Sequence, residues 1–344
     1  MNVTLLGKST ALFKALSEVI NETDTLTEFN NDVSSLKLEA GDIVFIASED
    51  FDFIKRVRIA IPLYVPLIAF TQKSTWFTLV DSPGISVLHA PLTMLKLRNI
   101  IEDGKAFSRA NSFLLQFIAG SSRKTQELRN SIIYFAKNFL PLHLNGETGT
   151  GKTLAAKLIN SLQNNKKELV YINCANLNSA IADSDLFGHT KGAFTNAVSP
   201  RKGLINQANE STLFLDEIEN LPLDKQGKLL DTIENGFYRN IGDDSTQKST
   251  FRLITAAQSS LEELVDRKKL RKDFYYRISN LSITISPLRD HKEDIPEIVL
   301  HYENKNKIEK GRIADCTPLM QSDWKGNIRE LIHYLDRVFS HVRH

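Results

Sequence analysis

The stretch GETGTGKT at residues 146–153 constrains this chain more than any other part of its sequence. It fits the pattern GxxxxGK[ST], and it lies between an apolar run, PLHLNG, and a helical pattern, TLAAKLINSL. In such a strand–loop–helix unit, glycines let backbone N–H groups crowd around a polyphosphate at the helix N-terminus. The lysine supplies a point charge for the phosphates, and the threonine can ligate Mg²⁺. The sequence therefore predicts an α/β fold that binds ATP with Mg²⁺ through eight residues: Gly146, Glu147, Thr148, Gly149, Thr150, Gly151, Lys152 and Thr153.

A second run, LFLDEIENL at residues 213–221, reads as an apolar strand that ends in two carboxylates. We expect Asp216 to hold Mg²⁺ through water and Glu217 to polarise the attacking water. Alone, the pair would also suit solvated acids that cap the next helix, but the phosphate loop favours the catalytic interpretation. Phosphoryl transfer further needs positive charge on the γ-phosphate. LRKDFYYRI offers Arg271 and Arg277 for that purpose, although such a run is also typical of a charged helix face.

Length and composition bound the remaining possibilities. A chain of 344 residues favours two or three domains, and its net charge of +2 does not support nucleic-acid binding by the whole surface. Two cysteines, Cys174 and Cys316, are too few for a disulfide framework, and they lack metal-ligand spacing. The longest apolar stretch, IAIPLYVPLIAF, contains two prolines and is shorter than a bilayer span. We therefore expect a cytoplasmic protein with no membrane contact.

The first hundred residues predict a small doubly wound α/β domain. Short apolar runs separated by helical patterns read as buried parallel strands: NVTLL, DIVFIA, PLIAFT and ISVLHA. The pattern resembles the flavodoxin-like receiver domain of two-component response regulators, but the receiver chemistry is missing. Gly7 and Lys8 stand where receivers carry an acidic pair, Ala47 and Ser48 stand at the phospho-acceptor position, and Ala90 replaces the usual lysine. We predict no aspartyl phosphorylation, because no carboxylates are available to bind Mg²⁺ or accept phosphate.

Four further features carry a more specific resemblance: FGHTKGAFTNA at 187–197, LRKDFYYRI at 270–278, PLRDHKEDIP at 287–296 and WKGNIREL at 324–331. Together with the phosphate loop and the acidic strand, they make residues 121–344 resemble the AAA+ domain of bacterial enhancer-binding proteins. These ATPases activate transcription by sigma-54 RNA polymerase holoenzyme. In that family ATP sits between neighbouring subunits of a ring, so the resemblance implies a hexamer or heptamer, with a dimer as the inactive form.

The resemblance also assigns roles to single residues. Arg271 and Arg277 match arginine fingers that act on the neighbouring subunit's ATP, and Arg329 matches the lid arginine that senses the γ-phosphate. Asn173 matches the asparagine that holds the catalytic glutamate until the nucleotide state changes. Gln258 takes the sensor position that usually holds asparagine, which keeps an amide but alters its reach.

The family inserts a loop bearing GAFTGA, whose exposed phenylalanine and threonine grip sigma-54 and move with ATP turnover. Five positions match it here: Gly192, Ala193, Phe194, Thr195 and Ala197. Asn196 replaces the second glycine, and asparagine enters the left-handed backbone region less freely than glycine does. The grip is therefore retained, weakened or redirected to another partner.

Residues 104–120 mix Gly, Ser and Asn with an apolar patch, which predicts a linker helix. Around it, the resemblance implies a flavodoxin-like receiver-type domain at 1–103, an AAA+ α/β core at 121–287 and a helical lid at 288–344. The family usually continues into a helix-turn-helix domain, so contact with DNA is expected only through a segment outside these residues. The leading hypothesis is an ATP-driven regulator that remodels sigma-54 holoenzyme. One alternative is a nucleotide- or cyclic-di-GMP-gated regulator that works with the housekeeping sigma factor, although Gln116 stands where relatives place the ligand-binding arginine. Another alternative is a sequestering partner in another activator's ring.

Overall fold

The computed structural model describes most of the chain, and it divides the chain into two compact units, 1–133 and 134–344. The described residues are 2–6, 9–20, 25–29, 38, 42–48, 50–61, 65–71, 85–89, 93–163, 167–177, 182–194, 197–308, 311–313 and 315–340. Within these ranges, no helix is long and apolar enough to cross a membrane.

The first unit is built around a five-stranded parallel sheet. Its strands are β1 (Asn2–Leu6), β2 (Thr25–Phe29), β3 (Ile43–Ala47), β4 (Leu67–Thr71) and β5 (Ile85–His89). Its helices are α1 (Thr10–Val19), α2 (Phe51–Ala60), α3 (Met94–Leu115) and the first part of α4 (Arg123–Ala136). The strand order β2-β1-β3-β4-β5 is the flavodoxin-like order, which confirms the predicted fold class. Sequence reasoning missed β2, because three of the five residues in TLTEF are polar and its described side chains are at most half-buried.

Two apolar layers cover this sheet, one on each face. Val3, Leu5 and Phe45 share one buried cluster with side chains of α1 and α3, whereas Leu6, Val44 and Ile46 belong to a second cluster that includes residues of α2. The alternation follows from the two-residue period of a strand. At the end of β3, Ser48 accepts a hydrogen bond from the backbone N–H of Asp50 through its hydroxyl. Gly7, Lys8 and Ala90 lie outside the described residues.

The segment expected to be a linker helix at 104–120 lies mostly inside α3, which begins ten residues before Gly104 and ends at Leu115. Glycine is typical of linkers, but Gly104 is a packing position. A Cβ built on Gly104 would lie 2.5 Å from Ile43 Cδ1, so the absence of a side chain lets α3 approach β3 closely.

The second unit has its own parallel sheet, in the order β14-β6-β13-β10-β7. The strands are β6 (Leu142–Asn145), β7 (Val170–Asn173), β8 (Gly188–His189), β9 (Arg201–Lys202), β10 (Thr212–Asp216), β11 (Phe237–Tyr238), β12 (Gln247–Lys248), β13 (Arg252–Ala257) and β14 (Leu281–Thr284). Strands β8 and β9 form one short antiparallel pair, and β11 and β12 form another. All five strands of the main sheet run parallel, so their carboxyl ends meet at one edge.

Helices flank this sheet and continue beyond it. They are α5 (Lys152–Leu162), α6 (Ala182–Phe187), α7 (Leu204–Gln207), α8 (Leu223–Asn235), α9 (Leu261–Asp266), α10 (Lys272–Ile278), α11 (Ile295–Lys305), α12 (Thr317–Gln321) and α13 (Asn327–Phe339). The last three follow the final strand and form the helical segment expected for a lid. Leu331, Leu335 and Phe339 recur at helical spacing on α13 and are all buried, which explains why this charged sequence packs as a helix.

Candidate ATP site and loop

The phosphate loop connects β6 to α5 as the sequence predicted, and two glycines in it need backbone angles that other residues avoid. Gly149 has φ of +81° and Gly151, the residue before α5, has φ of +102°. The Lys152 ammonium donates hydrogen bonds to the carbonyl oxygens of Gly146 at 2.6 Å and of Glu147 at 3.0 Å. The loop therefore wraps around the lysine head and turns the start of α5 towards it, which is the geometry of an anion cradle.

Lys152 is largely buried, and burial lowers its pKa, although the negative charges of Asp216 and Glu219 act in the opposite direction. A desolvated ammonium at the mouth of a helix attracts a polyphosphate strongly. Next to it, the Thr153 hydroxyl donates to Asp216 Oδ2 at 3.3 Å. These two oxygen donors fit Mg²⁺, which takes few protein ligands and keeps phosphate oxygens and waters in its remaining positions.

The acidic pair lies where two strand ends meet. Asp216 ends β10 and is paired in register with Asn173, which ends β7. Gln258 follows β13, whose last residue is paired with the last residue of β6 directly before the phosphate loop. The sheet therefore brings Asp216, Asn173 and Gln258 to the edge that carries the phosphate loop.

Glu217 directly follows this strand end in a left-handed conformation, with φ of 54° and ψ of 52°. Such a backbone is strained for glutamate and is typical of functional sites. Its carboxylate accepts a hydrogen bond from the Asn220 amide at 3.3 Å. The Asn173 side chain instead accepts the backbone N–H of Ala175 at 2.8 Å. In this conformation Glu217 is therefore held by Asn220, a residue that sequence reasoning did not single out.

Tyr171 is a second residue that the sequence did not reveal. Its hydroxyl donates to Asp216 Oδ2 at 3.4 Å, and its ring packs against Phe214 with ring centroids 5.7 Å apart. Burial and the neighbouring Asp216 raise the pKa of Tyr171, so the phenol stays protonated and remains a donor. A strand residue two positions before Asn173 must point to the same side of the sheet as Asn173, and that spacing was the available signal.

The two arginines of LRKDFYYRI lie on or next to α10, which packs against α8 and α9. Arg271 pairs with the Asp273 carboxylate through Nε at 3.0 Å and Nη2 at 2.7 Å. Arg277 donates to the carbonyl oxygen of Ile233, in the last turn of α8, at 3.1 Å. Both guanidinium groups thus have partners on this side of the core rather than in the phosphate loop of their own chain.

The start of α13 touches the phosphate loop directly. The backbone N–H of Arg329 donates to the Gly149 carbonyl at 3.3 Å, and the Asn327 amide donates to the Thr148 carbonyl at 3.0 Å. Arg329 has an exposed side chain beside a cavity of about 690 Å³ that Thr148 also lines. The lid arginine predicted from the sequence therefore lies next to the phosphate loop.

Glu147 joins the loop to the lid a second time, through a bidentate ion pair with Arg289. The hydrogen bonds from Arg289 are the largest influence on Glu147 and lower its pKa to about 2. Sequence reasoning placed Glu147 in the loop and Arg289 in PLRDHKEDIP, but nothing in the spacing of these residues indicated that they meet.

The GAFTNA segment begins as a tight turn after β8. Gly192 has φ of +83° and donates to the carbonyl of Ala197 at 2.8 Å, and the N–H of Ala197 donates to the carbonyl of Phe194 at 2.9 Å. Ala193 is half-buried and Ala197 is buried, while Phe194 is 44% exposed. Thr195 and Asn196, the other two predicted contact residues, lie outside the described residues.

The base of this loop is fixed by a buried histidine. His189 Nε2 lies 2.9 Å from the carbonyl oxygen of Ser199, which can only accept, so Nε2 carries the proton. Its Nδ1 therefore accepts from the Ser184 hydroxyl at 2.7 Å. The His189 ring stands edge-on to Phe194, with centroids 4.9 Å apart. Phe194 therefore packs against a buried histidine whose two ring nitrogens are both hydrogen-bonded.

Comparison with known proteins supports the family resemblance seen in the sequence. The model of the Sigma-54 interaction domain family matches residues 118–284. The anaerobic nitric oxide reductase transcription regulator NorR of Aliivibrio fischeri is 37% identical over 280 residues, which cover 78% of this chain and 54% of that protein. The transcriptional regulatory protein ZraR of Salmonella typhimurium is 34% identical over 299 residues, which cover 83% of this chain and 68% of that protein.

Among solved structures, that of NtrX from Brucella abortus in complex with ATP is similar to this one, with a TM-score of 0.59 and 20% sequence identity. The match covers 99% of this chain and 83% of the NtrX chain. At 20% identity this match is evidence for the fold alone. The chain spans between about half and two thirds of the length of the two regulators described above. Taken with the geometry of the site, these matches show that the chain belongs to the family of sigma-54-dependent enhancer-binding AAA+ regulators.

Proposed function

We propose that this protein hydrolyses ATP, with Mg²⁺, to remodel sigma-54 RNA polymerase holoenzyme through the GAFTNA loop. The observation that carries the proposal is the meeting of three groups at one sheet edge. The lysine-filled phosphate loop, the Thr153–Asp216 oxygen pair at 3.3 Å and the strained Glu217 lie side by side. A phosphate cradle, two oxygen ligands for a hard cation and an adjacent carboxylate are the parts that phosphoryl transfer to water requires.

Each residue has a distinct role in this proposal. Lys152 would exchange its two carbonyl partners for phosphate oxygens, and Thr153 and Asp216 would hold Mg²⁺. The metal would neutralise charge on the β and γ phosphates. Glu217 would accept a proton from the attacking water, because a carboxylate beside the γ-phosphate is a suitable general base. Asn220 or Asn173 would hold Glu217 away from the water until the nucleotide state changes, and Gln258 would contact the γ-phosphate from the sensor position.

Arg271 and Arg277 bind Asp273 and the end of α8 in their own chain. We propose that both act on ATP bound by a neighbouring protomer, as arginine fingers in a hexameric or heptameric ring with an inactive dimeric form. Arg329, on the lid of the same chain, would approach the γ-phosphate from the other side.

The loop would carry the result of hydrolysis to the polymerase. Phe194 is exposed although Ala193 is half-buried and Ala197 is buried, and its ring packs against His189. An exposed aromatic side chain held by contact with a buried ring suits contact with another protein. We propose that residues 192–197 touch sigma-54, with residues 1–103 as a regulatory domain, 104–120 as a linker, 121–287 as the core and 288–344 as the lid.

Two substitutions test the proposal separately. Glu217→Gln should preserve ATP binding and abolish phosphate release, and unchanged turnover would remove Glu217 from the mechanism. Phe194→Ala should preserve hydrolysis and end open-complex formation on a sigma-54 promoter. Phe237→Ala is the matched control, because Phe237 is also about half exposed in the same unit but lies outside the loop. Full open-complex formation by Phe194→Ala, or its equal loss in both variants, would refute the role of the loop.

A further inference from the structure

Three side chains tie the phosphate loop to the lid: Glu147 of the loop, and Arg289 and Asn327 of the lid. Arg289 donates to both carboxylate oxygens of Glu147, from Nη1 at 2.8 Å and from Nη2 at 2.5 Å. Planar pairing of this kind fixes orientation as well as distance, because two parallel hydrogen bonds allow little rotation. Glu147 is the second residue of the loop, so its position is transmitted to the loop backbone.

Asn327 provides the buried part of the connection. Its side chain is fully buried and its backbone is left-handed, with φ of +55°, which asparagine tolerates better than most residues. Its Oδ1 accepts the backbone N–H of Leu288 at 2.8 Å, and its Nδ2 donates to the Thr148 carbonyl at 3.0 Å and to Glu147 Oε2 at 3.3 Å. One amide thus joins the start of the lid, the start of α13 and the phosphate loop.

The charges explain why a glutamate in this loop needs such partners. A carboxylate in a loop that binds a triphosphate repels the ligand, unless a cation neutralises it. Arg289 supplies that cation, and its hydrogen bonds lower the pKa of Glu147 to about 2, so the carboxylate stays ionised well into the acid range. Both side chains are a little over 40% exposed. Exposed ion pairs contribute little to folding stability, so the effect of this pair should be on position and charge rather than on folding.

We propose that Glu147, Arg289 and Asn327 form a lid latch, a set of positioning residues that holds the lid against the phosphate loop before nucleotide binds. The latch rests on the proposed function in one respect, since ATP or ADP is the ligand whose affinity it sets. Arg329 lies two residues after Asn327, and its backbone N–H donates to the Gly149 carbonyl. The latch therefore also fixes the position of this lid arginine. It therefore governs nucleotide affinity and the orientation of the lid together.

The test separates charge from position with three variants: Arg289→Gln, Glu147→Gln and the double variant. Arg289→Gln leaves the loop carboxylate uncompensated, so ADP affinity should fall about tenfold, which corresponds to about 1.4 kcal/mol. The double variant should regain most of this affinity because the repulsive charge is gone. Lid orientation should be loosened equally in all three, because each lacks the ion pair.

Lid orientation is measured without nucleotide, as a distance distribution between spin labels on Lys157→Cys in α5 and Lys305→Cys in α11, with Cys316→Ser as background. Both label positions are exposed. The chain with the latch intact should give one narrow distribution, and the three variants should give broader ones. Arg267→Gln is the matched control, because it breaks an exposed ion pair with Glu263 on and next to α9, away from the lid.

Melting temperatures of the variants and the control should agree within a few degrees, as expected for exposed pairs. A narrow distance distribution in Arg289→Gln would overturn the latch, and so would unchanged ADP affinity in that variant. If the unsubstituted chain binds no ADP, the proposed function fails, and the label distances alone then decide the latch. Asn327→Asp, which keeps Oδ1 but loses the donor, should broaden the distribution as well.

Discussion

Gly149 packs against the lid with no room for a side chain, and replacing it with alanine should displace the lid. A Cβ built on Gly149 would lie 2.1 Å from the carbonyl oxygen of Gly326 and 3.0 Å from Cβ of Arg329. Ordinary van der Waals contact starts at 3.4 Å, so the lid must move by about 1.3 Å. The contact atom is backbone, and it cannot rotate away as the end of a side chain would.

Two costs combine in this substitution, and a second glycine separates them. A left-handed backbone costs alanine about 1–2 kcal/mol, and overpacking costs roughly another 1–3 kcal/mol. Gly151 also has a positive φ, but a Cβ there would meet nothing within 4 Å. Gly151→Ala therefore incurs only the backbone cost, and the difference between the two variants, about 1–3 kcal/mol, belongs to the contact with the lid.

Hydrogen exchange without nucleotide measures this difference locally. If the overpacking cost is released when the lid opens, lid amides of α13 should exchange about 5- to 150-fold faster in Gly149→Ala than in Gly151→Ala. Amides of the central strands β10 and β13 should change equally in both variants. Equal exchange rates for α13 in the two variants would refute the close approach on which this reasoning depends.

Three further predictions concern single side chains. Burial lowers the pKa of His143 to about 4. The free energy of unfolding should therefore fall by up to about 3 kcal/mol as pH falls from 6.5 towards 4. His143→Gln, which can still bond Thr255, should flatten this pH dependence. Burial lowers the pKa of His291, but the hydrogen bond to Asp294 and the negative charge of Asp294 together raise it above its ordinary value. The stabilising contribution of His291 should therefore be present below pH 6.5 and disappear as pH rises. His291→Asn should remove this pH dependence of stability in urea unfolding curves. Asn196→Gly should strengthen binding to sigma-54 if asparagine impairs the loop, and equal affinity in a pull-down titration would show that asparagine is tolerated.

Sequence patterns were sufficient for the parts of the fold where one signal dominates. The GxxxxGK[ST] run predicted β6, the loop and α5 together, because glycines and a lysine at that spacing have few other uses. The run TLFLD predicted β10 and placed Asp216 at its end. By contrast, β2 was missed because its polar side chains lack the continuous apolar run of a buried strand, and Gly104 was read as a linker signal although it serves helix packing.

The site was predicted less completely, for a physical reason. Residues that belong to one motif, such as Lys152 and Thr153, are adjacent in the chain, so a pattern can reveal them. Pairs such as Glu147 and Arg289 lie 142 residues apart and meet only through the packing of the lid. No local periodicity reports such a contact, and a single sequence contains no other record of it. The same holds for Asn220, whose contact with Glu217 depends on the left-handed backbone at Glu217.

The two parallel sheets of this protein differ at the edge where doubly wound sheets bind ligands, and the difference yields a last prediction. Ligands bind at the carboxyl ends of parallel strands. In the second unit that edge carries the acidic residues Asp216 and Glu217. In the first unit β3 ends at Ala47, and the next residue is Ser48, so neither position carries a carboxylate. The buried Asp42 lies just before β3 begins, at the opposite edge, where it accepts the N–H of Asn2.

Asp50 is the nearest described carboxylate after β3, but its Oδ1 accepts the N–H of Phe53 in the first turn of α2. The Asp50 carboxylate thus caps a helix and also pairs with Arg56 at 3.9 Å, whereas aspartyl phosphorylation requires a carboxylate that shares a Mg²⁺ ion with other acids. Treatment with acetyl phosphate and Mg²⁺ should therefore leave the intact mass unchanged. A mass gain of one phosphate that Asp50→Asn abolishes would show that the first unit accepts phosphate, and its regulatory input would then be phosphorylation rather than binding.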